Sequence, residues 1–248
     1  MKAKPISVFV EIEVATLDLE QAMERYTALY KNRGVKVARN FASNLREIWQ
    51  RNRAKIEKTT RNLRYDAVAV IPGNLNLPEF HQQMTQGYET TWESNNFKEG
   101  GSWSGIKSFQ VHQDRVVLFH DCQEISDYPL TTQLLGKNLF QVTGLSATEL
   151  TERIANGKPF NGQLTVDGQK HTFDGLAVED YLAIQAEFYS RTRNHLDFKT
   201  WSWLIRSCCG RRVPELIWSP GDGLLLALAI GPGFRYGNLA PRPAAVFV

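Results

Sequence analysis

The last forty-two residues of this 248-residue chain restrict its fold more than any other segment does. Residues 207–248 hold five of the ten prolines and six of the eighteen glycines, and these separate short apolar runs. Closely spaced turn residues between alternating or β-branched runs indicate short strands joined by tight connections. We therefore predict strands at 213–218, 223–230 and 243–248.

The first 145 residues combine strand and helix patterns. Residues 6–14 alternate apolar and polar side chains, which predicts a strand with one buried face. Apolar residues then recur at spacings of three, four and their sums, which predicts two helices over 19–30 and 35–63. Further strands are expected at 67–71 and 115–120, with a loop at 72–78 and a long polar loop at 87–103.

Helix and strand signals continue in the second part of the chain. Ser146 and Glu149 form a capping box that opens a short helix. A hairpin turning at Asp167-Gly168 follows, and then a helix over residues 177–194. We therefore predict an α+β fold in which an N-terminal part, residues 1–145, and a C-terminal part, residues 146–248, form one compact unit.

Composition excludes several classes of protein. Hydrophobic residues at 42% and charged residues at 22% are typical of globular rather than disordered chains. The chain has no run of eighteen apolar residues, so no membrane insertion is expected. Glu11 and Glu13 interrupt the apolar residues near the start, so no signal peptide is expected. These features, with too few cysteines for a disulfide framework, predict a cytoplasmic or virion-associated protein.

The predicted helix region at 31–64 is strongly basic. It contains eleven Lys or Arg residues and only two acidic residues, Glu47 and Glu57, although the net charge of the whole chain is only +3. A nucleic-acid or polyanion-binding protein is therefore one alternative. A solvated helix face explains such a charge pattern more commonly, so nucleic acid is not the preferred partner.

A second alternative is a His/Cys-dependent enzyme. The candidate groups are His112, His120, Asp121, Cys122 and Glu124. On a strand, His120 and Cys122 share one face while Asp121 points away, and no second CxxC or HxxxH motif supports a metal site. The chain also lacks the GxGxxG, GxxxxGK and GxSxG motifs. We therefore predict no catalytic residues, no metal and no cofactor.

A restricted amino-acid alphabet sets residues 207–248 apart. Lys, Gln, Glu, Met and Trp provide 48 of the first 206 residues, but the last forty-two contain only Glu215 and Trp218. These are the five amino acids that no codon ending in C or T encodes. Such depletion is expected where AAC or AAT codons have had both adenines randomised.

The same region carries a recognisable pattern of anchors. TWSWL at 200–204 precedes GRRVPELIWSPGDGLLLALAIGPGFRYGNLAPRPAAVF at 210–247, with RVP, W, GxL, PG and LxxRPA anchors. About seventy C-terminal residues thus resemble the variable region of diversity-generating retroelement variable proteins. In that family, a reverse transcriptase that is error-prone at adenine rewrites selected codons on a C-type lectin fold of the formylglycine-generating enzyme type. Ala240-Pro241 departs from the LGxRPA pattern of the family.

The resemblance implies a C-type lectin-type fold with a helical N-terminal elaboration, and it divides the C-terminal residues into two sets. The scaffold set is Trp201, Trp203, Arg212, Val213, Pro214, Trp218, Gly223, Leu225, Pro232, Gly233, Leu239, Arg242 and Pro243. The variable, ligand-binding set is Ile217, Ser219, Asp222, Leu226, Leu228, Ile230, Phe234, Tyr236 and Asn238, with Cys208 and Cys209 as further candidates. Codons ending in C or T encode every residue of the variable set, whereas Glu215 and Trp218 lie outside it.

Strand alternation gives the segment LLLALAI two different faces. Leu225, Ala227 and Ala229 share the smaller face, which suits packing against a scaffold. The opposite face consists of leucines and Ile230, and we expect it to be exposed as a binding surface. A strand buried on both faces is the alternative.

We therefore expect a non-catalytic protein that binds an unknown ligand, a protein or a cell-surface molecule, through a diversified C-terminal surface. Leu226, Leu228, Phe234 and Tyr236 are expected to be solvent-accessible on one contiguous face. The strand at 6–14 is expected to pair antiparallel with the C-terminal strand at 244–248, because neither segment has another obvious partner.

Overall fold

The chain combines helices with mostly antiparallel sheets, so the fold is α+β as the sequence predicts. The computed structural model describes residues 17–92, 105–109 and 112–248. The helices are α1 (Leu19–Arg33), α2 (Phe41–Leu63), α3 (Leu77–Met84), α4 (Leu139–Thr143), α5 (Ala147–Ala155) and α6 (Val178–Thr192). The strands are β1 (Ala67–Ile71), β2 (Glu89–Trp92), β3 (Ile106–Ser108), β4 (Arg115–Phe119), β5 (Gly162–Val166), β6 (Gln169–Phe173), β7 (Trp201–Trp203), β8 (Ser207–Cys209), β9 (Val213–Ser219), β10 (Leu224–Ile230), β11 (Leu239–Pro241) and β12 (Ala245–Phe247). Two 3-10 turns, Ile125–Asp127 and Pro129–Gln133, precede α4.

Local capping explains where several helices begin and end. The Asp18 side chain accepts a hydrogen bond from the Gln21 backbone N–H at the start of α1, and Gly34 ends that helix in the left-handed region with φ 73°. The second predicted helix therefore starts at Phe41 rather than at residue 35. The capping box of Ser146 and Glu149 opens α5 as predicted.

A three-stranded sheet has the strand order β1-β4-β12, with antiparallel pairs throughout. Helices α1 and α6 contact β1, while α2 contacts both β4 and β12. Every residue of β1 and β4 is buried, as expected for strands covered on both faces. The helices thus shield this sheet from solvent.

A five-stranded sheet has the order β11-β7-β9-β10-β2. Its longest pairing is the antiparallel one between β9 and β10, which runs from Val213 opposite Ile230 to Ser219 opposite Leu224. The outer strands β11 and β2 each pair in parallel with their neighbours. The segment with the restricted alphabet therefore supplies three of the five strands, β9, β10 and β11.

Three of the sheets join strands from the N-terminal and C-terminal parts. Strand β4 pairs with β12, β2 with β10, and β3 with β8. One continuous cluster of buried apolar side chains also extends from α1 to β12. The two parts of the chain therefore share both their sheets and their core.

The C-terminal strand has a partner that was not expected from the sequence, and its expected pairing with residues 6–14 stays a prediction. Strand β12 pairs antiparallel with β4, with Val246 opposite Val117, so the assumption that it had no other partner is wrong. The strand expected at residues 6–14 lies outside the described residues. The β4 partner is physically reasonable, since its β-branched centre offers the same cross-strand packing that was assigned to residues 6–14.

Two buried carboxylates, each paired with arginine, tie distant segments together. Arg242 Nη2 lies 2.7 Å from Asp197 Oδ1, and both side chains are at most 1% exposed. Arg242 also donates hydrogen bonds to the backbone carbonyls of His120, Cys122 and Gln123. A second buried carboxylate, Asp180, accepts from both Arg115 and Arg206.

No helix within the described ranges is both long enough and apolar enough to cross a membrane.

Candidate binding surface

The two faces of β10 differ as the alternation predicts. Leu225, Ala227 and Ala229 are at most 1% exposed and belong to the face that packs on the core. On the other face Leu224, Leu226 and Ile230 are partly exposed. We call this second face, together with the side chains of β9 and of residues 231–238 that lie on it, the outer face.

Strand pairing places residues of β9 on the same outer face. Ile217 lies opposite Leu226, and Ser219 lies opposite Leu224. Because directly opposed residues project to the same side of a sheet, these four side chains are neighbours. Trp218 lies between the two β9 residues and projects to the other side.

The predicted variable residues differ in exposure along this surface. Phe234 is 53% exposed, and Asp222 and Asn238 are also exposed. Ser219, Leu226, Ile230 and Tyr236 are partly buried, whereas Ile217 and Leu228 are each 8% exposed. The expectation that Leu228 is solvent-accessible is therefore wrong.

Tyr236 reaches the part of the outer face where Leu228 lies. The Tyr236 hydroxyl donates a hydrogen bond to the carboxylate of Glu215, which lies directly opposite Leu228 in the β9–β10 pairing. The tyrosine side chain must therefore cross the outer face at this point. Its ring also meets Trp201 edge-on at 6.4 Å and Phe234 at 5.3 Å between centroids.

Sequence reasoning missed Glu215 as part of this site. The residue is 0% exposed and its carboxylate lies beneath the partly exposed ring of Tyr236. The one signal in the sequence was that Glu215 is an exception to the restricted alphabet of residues 207–248. Codons ending in C or T do not encode Glu. A residue that is present despite this restriction is expected to have a structural or binding role that its neighbours lack.

Polar groups lie at the two ends of the outer face. At the β9–β10 turn, Ser219 Oγ donates to the Asp222 carboxylate at 2.6 Å. Near β7, the Asn238 side-chain amide donates to the Lys199 carbonyl at 2.9 Å. The apolar centre is thus flanked by groups that offer hydrogen bonds to a ligand.

An aromatic cluster supports the opposite side of β9. Trp218 stacks on His195 with ring centroids 3.4 Å apart and planes within 7°, and Tyr88 meets Trp218 edge-on at 5.6 Å. Gln185 donates to His195 Nδ1 while its own oxygen accepts from the Leu196 backbone N–H. Burial lowers the pKa of His195 to about 4, so the ring is neutral at physiological pH. Trp218 therefore belongs to the supporting structure.

The two further candidates, Cys208 and Cys209, lie elsewhere. Both are on β8, which pairs with β3 in a separate two-stranded sheet. Both thiols are free, and Cys208 is 4% exposed. Their positions do not extend the outer face along β9 or β10.

The alternative catalytic residues have separate partners. His120 is 4% exposed, and its Nε2 hydrogen-bonds to the Leu63 carbonyl at 3.0 Å. The sulfur of Cys122 lies 3.5 Å from Arg242 Nη1, and burial raises the pKa of this thiol. His112 is exposed on another loop. Cys122 therefore lies beside an arginine, whereas the His120 ring is hydrogen-bonded to a backbone carbonyl.

His120 provides a pH-dependent prediction. Burial, with a smaller contribution from the charge of Arg242, lowers its pKa from 6.5 to about 3. The unfolded chain therefore takes up this proton first as the pH falls, and the stability that neutral His120 contributes above pH 6.5 is lost toward pH 3. The variant His120→Phe removes the titrating ring. We expect the Tyr128 hydroxyl to keep donating to the Leu63 carbonyl in this variant, so that this buried carbonyl retains a hydrogen-bond donor.

We expect the wild-type free energy of unfolding to fall, between pH 6.5 and 5, by roughly 1 kcal/mol per pH unit more than that of His120→Phe. Urea unfolding at several pH values measures the difference. Parallel pH profiles for the two chains would contradict the assignment.

The basic helix α2 has several of its cations engaged within the chain. Arg46 pairs with Glu20 at 2.7 Å, and Arg53 pairs with Glu57 at 3.0 Å. Arg51 donates to the Val248 carbonyl, and the Lys55 ammonium lies 5.5 Å from the ring centre of Phe247. These contacts are typical of a solvated helix face with local partners.

No group of three or more His, Cys, Asp or Glu side chains in the described part of the chain is arranged to hold a metal ion. Comparisons with protein-family models, with curated proteins and with solved structures found no match.

Proposed function

We propose that this chain is a non-catalytic ligand-binding protein of the diversity-generating retroelement variable protein type. In this proposal the scaffold is a C-type lectin-type fold with a helical N-terminal elaboration. The residues of the outer face bind the ligand, and they vary between copies of the gene while the supporting residues stay the same.

One observation carries the proposal: the segment with the restricted alphabet supplies β9, β10 and residues 231–238, and these make up the outer face. Residues encodable by codons ending in C or T form the outer face, including Leu226, Phe234 and Tyr236. The two exceptions are excluded from solvent contact there, since Glu215 is 0% exposed and Trp218 projects to the opposite side. The restricted alphabet and the exposed side chains of the outer face thus coincide in one segment of the chain.

The chemistry of the outer face suits a protein or cell-surface ligand. Phe234 and Tyr236 offer large rings with few rotatable bonds, whereas Ser219, Asp222 and Asn238 offer hydrogen bonds that can adapt. Antibody binding sites combine the same two kinds of side chain. Contacts of this kind depend little on ionic strength, whereas phosphate contacts weaken steeply with salt.

The DNA beside the coding sequence tests the genetic part of the proposal. We expect a near-copy of the last hundred or so bases, with adenines at the codons of the nine variable residues, next to a reverse transcriptase gene. Adenines confined to the third base of those codons, or a near-copy with no adenine enrichment, would contradict the proposal.

A pair of libraries tests the protein part. In the first, the exposed or partly exposed positions Ser219, Asp222, Leu226, Phe234 and Asn238 are randomised with codons ending in C or T. In the control, five exposed positions of α2 are randomised, namely Arg53, Lys55, Glu57, Lys58 and Arg61.

We expect most members of both libraries to fold, because exposed substitutions usually change stability by about 0.5 kcal/mol or less. Binders to unrelated target proteins should come at least tenfold more often from the outer-face library. Equal yields from both libraries would show that the outer face is not specialised for binding.

A further inference from the structure

Backbone hydrogen bonds hold segment 231–238, which carries the aromatic part of the outer face, between two other parts of the chain. On one side, residues 136–139 donate a backbone hydrogen bond of 3.0 Å to the Pro232 carbonyl. On the other side, the Trp201 N–H donates to the Asn238 carbonyl at 2.8 Å. Both bonds join backbone atoms, so they do not depend on the side chains at the variable positions.

Every charged side chain on these three pieces of chain is a cation. Residues 136–139 provide Lys137, residues 198–201 provide Lys199, and the segment between them provides Arg235, with no Asp or Glu in any of the three. Lys199 and Arg235 are exposed, and Lys137 is partly exposed. None of these cations forms a salt bridge within the described ranges. We call Lys137 and Lys199 the lysine pair.

The two carboxylates of the outer face leave this positive charge in place. Glu215 is 0% exposed and accepts a hydrogen bond from the Tyr236 hydroxyl, so one buried carboxylate stands against three cations. Asp222 lies in the β9–β10 turn, whereas segment 231–238 follows the other end of β10. The exposed charge around segment 231–238 is therefore positive.

The lysine pair lies outside the segment with the restricted alphabet, residues 207–248. Codons ending in C or T do not encode lysine, whereas they do encode arginine. Under the proposed function, rewriting of adenine codons would change the ring at Phe234 and leave both lysines as they are. Each variant of the chain would thus present different contacts beside the same two cations.

We propose that the lysine pair is a constant part of the binding surface and directs it toward acidic protein partners, whichever residues occupy the variable positions. The inference rests on the proposed function, because it concerns the partners of the same outer face. The partner surface that fits carries Asp or Glu side chains around an apolar spot, which receives the exposed side chain at Phe234.

The arrangement favours a protein over the other partners that a positive surface attracts. Phosphate backbones are bound by many clustered cations, whereas here three cations surround a phenylalanine that is 53% exposed. A second copy of this chain docked through the same face would bring the two lysine pairs together. Like charges across an interface cost free energy, so this face disfavours self-association.

Charges at the edge of an interface act mainly on the rate of association. They steer an oppositely charged partner during diffusion, whereas the apolar contacts at the centre control how slowly the complex dissociates. The lysine pair should therefore raise the association rate constant for acidic partners, and this effect should weaken as salt is added.

Selections with the outer-face library test the inference on two forms of the full chain, the wild-type scaffold and Lys137→Gln/Lys199→Gln. The targets are two panels of purified proteins, one with pI below about 5 and one with pI above about 9. We expect the wild-type scaffold to yield binders to acidic targets at least about fivefold more often than to basic ones, and the glutamine scaffold less than about twofold more often.

Lys58→Gln/Arg61→Gln is the matched control, because it removes the same charge from exposed positions of α2, which contacts β4 and β12 of the other sheet. This scaffold should keep the wild-type preference. If the scaffold with both lysines replaced does not fold, Lys199→Gln alone should lower the preference at least about twofold, since its side chain is exposed.

Kinetics of a single binder give a second readout. When a binder to an acidic target is transferred to the Lys137→Gln/Lys199→Gln scaffold, its association rate constant at low salt should fall about three- to tenfold. Its dissociation rate constant should change less than about twofold, and surface plasmon resonance measures both.

Three results would overturn the role of the lysine pair: equal yields from the acidic and basic panels on the wild-type scaffold, an unchanged preference on the glutamine scaffold, or the same loss in the α2 control. Binding of a mixed-sequence single-stranded DNA as tightly as the acidic targets would assign the surface to nucleic acid instead. If no scaffold yields binders to either panel, the proposed function fails and this inference falls with it. Binders obtained equally for both panels contradict the lysine pair alone.

Discussion

Replacing Arg242 with methionine is expected to lower the free energy of unfolding by about 3–5 kcal/mol. The guanidinium is 1% exposed, pairs with Asp197 at 2.7 Å and donates to three backbone carbonyls. Its removal leaves a buried carboxylate without its counter-charge and several buried acceptors without donors. Urea unfolding followed by circular dichroism measures the loss.

Arg46→Met is the matched control. Arg46 pairs with Glu20 at the same distance of 2.7 Å, but these side chains are 50% and 62% exposed. Exposed ion pairs contribute little, so we expect a change within about 0.5–1 kcal/mol. If both substitutions lower the free energy of unfolding by the same amount, burial of the Arg242 pair does not control the stability of the fold.

Replacing Trp218 with alanine is expected to cost about 3 kcal/mol, at the lower end of the range for large aromatic residues because its ring is only partly buried. The substitution removes the stack on His195 and the edge contact with Tyr88. It thereby withdraws support from the side of β9 that faces away from the outer face. Thermal and urea unfolding measure the loss.

Phe234→Ser provides the comparison on the outer face. Its side chain is 53% exposed, and we expect the free energy of unfolding to change by about 0.5 kcal/mol or less. The proposed division into supporting and variable residues requires this difference. It would fail if Phe234→Ser destabilised the chain as much as Trp218→Ala.

Sequence patterns predicted the features that depend on near neighbours. The capping box at Ser146, the hairpin β5–β6 and the two faces of β10 all involve contacts within a few residues or a simple alternation. Helix α3 was missed although its signal was local. The Asn76 side chain accepts a hydrogen bond from the Glu79 N–H, and Pro78 is compatible with a first helical turn, so α3 begins within the predicted loop at 72–78.

Contacts between distant segments were not predictable from the sequence. The three-residue strands β7 and β11 are too short to show alternation, yet they place Trp201 next to Tyr236. The hydrogen bond between Tyr236 and Glu215 depends on how residues 231–238 return over the sheet. The spacing of residues in the sequence does not predict that path. Leu228 is 8% exposed although alternation alone predicts that it faces solvent.

The β4–β12 pairing has a consequence for how the chain folds. Leu118 of β4 meets Ala245 of β12, so this sheet closes a loop that spans half of the chain. Pairs so far apart in sequence slow folding, because the chain entropy is lost before the contact can compensate for it. During synthesis, β4 cannot pair with β12 until residues 245–247 have left the ribosome. The nine proposed variable positions lie inside that loop, so substitutions there leave the pairing that closes the loop to residues outside the proposed variable set.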